Sequence, residues 1–214
     1  MNEERTRRRL PRGEREQQMM DCAIRVFAQR GYSAASVDEI ADLAGVSKPL
    51  VYLYLGSKEG LFLACLRREE RRLVEAFQDA AKDGSTSELR LWAGLRAFFG
   101  FVADHRDSWA VLHRQAPGLG AAIAAEITRA RISVLTEVQT LVREGSALSR
   151  GPVRLGDADA DFVAHALVGA ADSLTDWMER HPDESPDRVT LRLMGMVWVG
   201  MRQVLGGEVW LAPE

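Results

Sequence analysis

The side chains best suited to chemistry lie between Ser36 and Lys58, where the chain reads SVDEIADLAGVSKPLVYLYLGSK. Lys48, Tyr52, Tyr54 and Lys58 carry N–H and O–H donors of the kind that phosphate oxygens accept. Pro49, Leu50 and Leu53 carry apolar groups that can meet thymine methyls. Lys58 follows Ser57 at the start of a helix, which puts a cation beside open backbone N–H groups, a ready phosphate site. Other chemistry finds little support. The four histidines (His105, His113, His165, His181) form no Glu-x-x-His pair and no His-Glu-x-x-His motif, and no nucleophile has a base nearby. The GLGAA stretch at 118–122 lacks the lysine and the strand of a phosphate loop. Cys22 and Cys65 are too few for a disulfide framework and lack metal-ligand spacing, so both read as reduced, buried small residues. The expectation is a protein that binds rather than catalyses, with no cofactor and no metal.

Two short helices must hold the donors in place. Val37, Ile40, Ala41 and Ala44 recur at i, i+3, i+4 and i+7, one apolar face of a two-turn helix capped by Ser36. Ala41 is small where a second helix has to cross closely. Gly45 falls where the chain must turn through a left-handed backbone, and Val46 fills the corner. Ser47 caps the next helix, Pro49 sits in its first turn, and Val51 packs back. The pattern is that of a helix-turn-helix, whose second helix enters a major groove with Lys48, Pro49, Leu50, Tyr52, Leu53 and Tyr54 facing outward. A plain hairpin inside a helical bundle is the competing reading. Two outward tyrosines flanked by lysines argue against it.

The rest of the chain reads as helix as well, since β-type alternation is missing. A first helix over about 16–29 carries Met20, Ala23, Ile24 and Phe27 on one face and stops at Gly31. A long helix capped by Ser57 runs to about Ala81, and further helices cover about 88–104, 107–115, 118–144, 158–180 and 186–205. Residues 145–157 (GSALSRGPVRLGD) are the best linker. The fold class is all-α: three short helices and about six longer ones. At 214 residues and 46% hydrophobic the chain can bury a core, and its net charge is −3. Residues 1–58 carry ten lysines and arginines against eight acidic residues, and the remainder carries 18 against 23. That polarity suits a DNA-facing head on an acidic body. No apolar run approaches the roughly 20 residues of a membrane span, and no signal segment is evident, so a cytoplasmic location is expected and no membrane partner.

Residues 19–66, above all VFAQRGYSAASVDEIADLAGVSKPLVYLYLGSKEGLF, closely resemble the DNA-binding domain of TetR-family transcriptional regulators. The resemblance implies an Ω-shaped all-α homodimer on a palindromic double-stranded operator, repressing by default and responding to a ligand. It divides the chain into a flexible basic arm (1–15), a helix-turn-helix domain (16–57) and an effector-binding and dimerisation domain (58–214). It also implies DNA contacts from Ser36, from Lys48, Pro49, Leu50, Tyr52, Leu53 and Tyr54, and from Lys58. Pro49-Leu50 and Leu53-Tyr54-Leu55 depart from the family's usual residues, so base preference does not carry over. The arm, with Arg5, Arg7, Arg8, Arg9, Arg12 and Arg15, has two readings, a DNA contact that reaches into a minor groove or tracks phosphates, or a solvated tail, and its interspersed glutamates favour the tail.

Beyond residue 80 the resemblance is one of layout. Trp92, Phe98, Phe99, Trp109, Leu112 and Trp177 could line a pocket for a small apolar or aromatic effector, with His113, His165, Asp172 and Asp176 as polar handles. Ordinary core packing is the alternative for the same aromatics. The last two helices present Val163, Leu167, Leu174 and Met178, then Leu193, Met196, Val197, Val199 and Gly200, as a candidate four-helix dimer face. An effector would act by tilting the long fourth helix and so changing the spacing of the two recognition helices, which must match grooves about 34 Å apart.

Overall fold

The computed structural model describes residues 11–82, 86–113, 120–148 and 152–207. These residues form nine helices: α1 (Arg12–Ala34), α2 (Val37–Ala44), α3 (Lys48–Leu55), α4 (Lys58–Lys82), α5 (Ser87–Asp104), α6 (Arg106–His113), α7 (Ala121–Leu148), α8 (Asp157–Arg180) and α9 (Pro186–Leu205). No helix among them is long and apolar enough to cross a membrane. Several ends are set by side-chain caps. The Ser36 hydroxyl accepts from the Asp38 N–H at 3.2 Å, Ser57 from Gly60 at 2.9 Å, Thr86 from Leu89 at 3.2 Å and Ser185 from Arg188 at 3.3 Å.

Three details differ from the sequence reading. Helix α1 begins at Arg12, inside the stretch read as an arm, directly after Pro11 at φ −52° and ψ 154°. A fixed φ and a missing N–H suit a proline to a helix start. Gly31, at φ 72° and ψ 163°, breaks that helix, and one further turn follows it. Ser47 holds the N-cap position of α3 with an extended backbone, yet its hydroxyl makes no capping bond. Pro49 has removed one of the two N–H groups it would serve, and the other, on Leu50, bonds the Ser47 carbonyl at 2.9 Å. Helix α7 runs to Leu148, into the expected linker. Beyond it, Leu155 donates to Ser146 Oγ at 2.7 Å and Val153 to the Leu205 carbonyl at 3.2 Å, so 152–156 pack back onto helices. The expected helix ends at 114–115 and 118–119, and the arm up to residue 10, lie outside the described residues.

The chain forms two compact units. The first takes 11–69 and Asp107–Glu126. Its core joins Met19, Ala23, Ile24 and Phe27 of α1 to Ile40, Ala41 and Ala44 of α2, Val51 of α3, and Leu61, Phe62, Cys65 and Leu66 of α4, all buried. Phe27, Tyr32 and Phe62 meet ring to ring, with centroids 4.8 to 6.1 Å apart. Each such side chain contributes roughly 1.5–3 kcal/mol by leaving water. A polar clasp closes the unit. The Arg68 guanidinium, nearly buried, donates to Glu69 at 2.7 Å, Asp21 at 2.7 Å, and both the side-chain and backbone oxygens of Gln17 at 3.0 and 3.3 Å. It ties α1 to α4 with every guanidinium nitrogen in use. Arg67, beside it, pairs with the buried Glu126 of α7 at 3.0 Å.

The second unit takes Glu70–Arg106 and the described residues from Ile127 onward. Helix α5 packs mainly on α9, and α8 packs on both. Leu91, Leu95, Phe98, Phe99 and Val102 of α5 are buried together with Ala164, Leu167 and Ala171 of α8 and Val189, Leu193 and Met194 of α9. Gly94 permits a close crossing: a Cβ there would stand 2.6 Å from the Phe77 ring.

Gly60 has a sharper constraint, because a Cβ on it would lie 2.4 Å from the Leu55 backbone carbonyl across the α3–α4 turn. Gly13 faces open space. Gly60→Ala is expected to lower stability by about 1–3 kcal/mol, as other overpacked positions do, while Gly13→Ala holds or raises it. Thermal denaturation of the pair checks this, and equal melting temperatures would reject the steric account. A second measurement concerns Cys65, whose thiol burial pushes up to about 12. At pH 8 only about one molecule in ten thousand then carries the reactive thiolate. Mass spectrometry after alkylation should find Cys65 unmodified in the folded protein and fully modified in denaturant.

Candidate nucleic-acid interface

Helix α2 fixes α3 through its C-terminal turn. Gly45 adopts φ 63° and ψ 36°, its N–H bonds the Asp42 carbonyl at 3.1 Å, and the Val46 N–H bonds the Ala41 carbonyl at 3.0 Å. This is a Schellman closure, which satisfies the carbonyls at the helix end and sends the chain off at a fixed angle. Gln18 of α1 adds a bond from its Nε2 to the Ala44 carbonyl at 3.3 Å. Helix α3 then rests on one side chain. Val51 is 1% exposed and is its single buried residue. Lys48, Pro49, Tyr52 and Leu53 are exposed, Leu53 at 74%, while Leu50 and Tyr54 are half-buried.

The cations around α3 are held individually. Lys48 donates to Asp38, on the first turn of α2, at 2.8 Å, and that hydrogen bond raises its pKa above the ordinary lysine value. Lys58 donates to the Ser33 carbonyl at 3.1 Å and sits 4.8 Å above the centre of the Tyr32 ring. Ser36 accepts from the Asp38 N–H, which leaves its own hydroxyl hydrogen for another acceptor. Arg12, on the first turn of α1, lies over the ring of Tyr54 at 5.3 Å. The geometry therefore gathers Ser36, Lys48, Tyr52 and Lys58, all expected from the sequence, with Arg12, which the sequence offered only as part of the arm and with the tail reading favoured, and Asp38, which it did not offer. Asp38 and Lys48 stand ten residues apart across a turn, a spacing that no helical or strand period marks.

The side chains read as effector contacts have varied surroundings. Trp109, Leu112 and His113 belong to the first unit, where the Trp109 and His113 rings stack at 4.8 Å. In the second unit Phe99 is fully buried and Phe98 nearly so, their rings 5.1 Å apart. Trp92 lines an open groove of about 550 Å³ with Ala93, Arg96, Ala97, Gly100 and Pro186. Asp172 is paired with Arg131 at 2.9 Å, Trp177 stacks on His181 at 4.1 Å, and His165 and Asp176 are exposed. Among the described residues no cluster of His, Cys, Asp or Glu could hold a metal ion.

Helices α8 and α9 leave an apolar face uncovered. Phe162 is 75% exposed, Met196 69%, Leu191 64% and Val199 45%. Ala166, Gly169 and Gly195 lie exposed on the same two helices. The face differs from the one read in the sequence: Leu167, Met178 and Leu193 are buried in their own unit. Both helices carry two apolar stripes, and periodicity alone does not say which of them faces the chain's own core.

The family profile for bacterial regulatory proteins of the tetR family matches residues 20–65, and that of the tetracyclin repressor-like C-terminal domain matches residues 88–200. The chain is similar to the HTH-type transcriptional activator FasR of Mycolicibacterium smegmatis, with 32% identity over 197 residues, 92% of this chain and 87% of that one. It is also similar to the fatty acid metabolism regulator protein of Bacillus subtilis, with 23% identity over 81% of this chain and 88% of the relative. Among solved structures, a TetR-like transcriptional regulator from Rhodococcus sp. RHA1 superimposes with a TM-score of 0.75 and 38% identity, covering 90% of this chain and 98% of that one.

Asp38 places a carboxylate beside Lys48 at the front of α3, where it both orients the ammonium and offsets its charge. Asp38→Asn should leave the melting temperature unchanged, since an exposed pair contributes little. It should strengthen binding to unrelated duplex several-fold without a matching gain on a specific site, narrowing the ratio between them. Competition binding with the two duplexes checks this, and an unchanged ratio would remove Asp38 from the account.

Proposed function

The chain belongs to the tetR family of bacterial regulatory proteins, and we propose that it works as a homodimeric, ligand-responsive reader of a palindromic operator in the cytoplasm. Members of this family are DNA-binding transcriptional regulators. The observation that carries the reading is helix α3, which has Val51 as its one fully buried residue and presents Lys48, Pro49, Tyr52 and Leu53 to solvent behind a rigid turn. In this proposal residues 16–57 are the reading head. Ser36, Lys48, Pro49, Leu50, Tyr52, Leu53, Tyr54 and Lys58 meet the duplex, Tyr52 and the lysines on phosphates and the aliphatic groups on base edges. Residues 58–214 dimerise and receive the effector.

The dimer face is the uncovered apolar surface around Phe162, Leu191, Met196 and Val199, and its small residues allow close helix approach. Side chains of this size so far in solvent favour a second copy of the same face, related by a two-fold axis. The effector is a small molecule with an apolar or aromatic part. A fatty acid metabolism regulator among the relatives makes long-chain acyl compounds the class to try first. The sign of control depends on where the operator sits. Occlusion of a promoter gives repression, whereas the activator named among the relatives supports a site that recruits instead.

The test is a gel-shift against the DNA flanking the coding region, over a salt series. A dimer using about 6–10 phosphate contacts should lose roughly 10³–10⁵ in affinity between 50 and 200 mM salt. Met196→Glu should yield a monomer in sedimentation and weaken operator binding at least a hundredfold. Titration of a saturated long-chain fatty acid and its coenzyme A thioester should shift the bound fraction; a ligand preferring one dimer state by about 3 kcal/mol changes affinity roughly a hundredfold. Binding indifferent to both salt and sequence, or a wild-type monomer at micromolar concentration, would sink the proposal.

A further inference from the structure

Three cations surround helix α3, and they differ in what already engages them. Lys48 shares its charge with Asp38 at 2.8 Å. Lys58 gives one of its N–H bonds to the Ser33 carbonyl. Arg12 has no ion pair and no hydrogen bond to any other described residue; its one contact is the ring of Tyr54, 5.3 Å from the guanidinium carbon. It is exposed, and it is the first residue of a 23-residue helix rather than part of a tail. A guanidinium lying over an aromatic ring keeps its N–H fork at its edges, free to take two oxygens of one phosphate. The ring in question belongs to the last turn of α3, so the charge is held against the helix that reads the groove.

We infer that Arg12 is a backbone ligand for DNA and that Tyr54 is the residue that positions it. The first turn of α1 and the last turn of α3 then grip the same stretch of phosphates, which fixes the angle of α3 in the groove at its C-terminal end. Lys48 and Asp38 act at the other end of that helix. Tyr54 serves through its ring, which explains why it is half-buried where Tyr52 is exposed. The assignment rests on the DNA-reading function proposed above and adds a contact from outside the helix-turn-helix. It concerns no residue before Pro11.

The experiment is a salt series with purified full-length wild type, Arg12→Gln, Arg12→Lys, Tyr54→Leu and the Arg12→Gln/Tyr54→Leu double variant, on operator and on unrelated duplex. Each protomer that loses a phosphate contact lowers the slope of log affinity against log salt by about one, so Arg12→Gln should lower it by about two for a dimer. The accompanying loss of affinity, roughly tenfold, should be equal on both duplexes because a phosphate carries no sequence. Arg12→Lys should recover the slope but not the full affinity. In the Tyr54→Leu background the further effect of Arg12→Gln should shrink. A wild-type slope in Arg12→Gln overturns the inference while leaving the reader intact. An undiminished Arg12→Gln effect in the Tyr54→Leu background, with melting curves showing that variant folded, overturns the positioning role. A wild type that binds no duplex at low salt overturns the reading function and this inference with it.

Discussion

The placement of the reading helix depends on a guanidinium that never touches it. Arg68 reaches from α4 to Asp21 and Gln17 on α1 and to Glu69 on its own helix. Glu69 is buried and Asp21 more than half exposed, so it is loss of Arg68 that would strand a buried charge, a change that typically costs about 3–5 kcal/mol. With α1 clamped to α4, the apolar sides of both are fixed, and α2 has one surface to settle on. Helix α3 has one fully buried residue, Val51, and otherwise follows this frame through the turn at Gly45 and the Lys48–Asp38 pair. The polar clasp specifies, and the apolar core around Phe27 and Phe62 supplies most of the stability.

Helices α4 and α7 each pass from one compact unit into the other without a break. In α4 the change of unit follows directly on Arg67, Arg68 and Glu69, and in α7 it follows directly on Glu126. The ion pair between Arg67 and Glu126 therefore sits at the last residues that both helices spend in the first unit.

Much of this architecture was legible in the residues. The apolar periods of α1 and α2, the capping serines Ser36 and Ser57, and the glycine at position 45 each have a local physical meaning, and local meanings survive without a structure. The turn and the outward set on α3 followed from them. What stayed hidden was tertiary. The start of α1 at Arg12 was missed because no apolar residue precedes Met19 within the helix, although Pro11 marked the place. Asp38 beside Lys48, Lys58 on Tyr32, and Arg12 over Tyr54 join residues 10, 26 and 42 apart, and no periodicity links them. On α8 and α9 Met196 and Val199 were placed on the free face where they lie, but Leu167, Met178 and Leu193 are buried and the exposed Phe162 and Leu191 went unnamed, because both sides of those helices are apolar. The effector site was the least legible, since aromatic side chains at helical spacing look alike whether they fill a core or line a cavity.

The thin attachment of α3 has a consequence for how such a protein can change over generations. A helix with one fully buried residue leaves its exposed positions, such as Pro49, Tyr52 and Leu53, nearly uncoupled from folding, so substitutions there alter the address without threatening the molecule that carries it. A duplicated copy of the gene could drift to a new set of target promoters in a few steps while keeping its ligand and its partner. The stable frame makes the variable part inexpensive to rewrite, and divergence in what is read need not wait on compensation elsewhere in the chain.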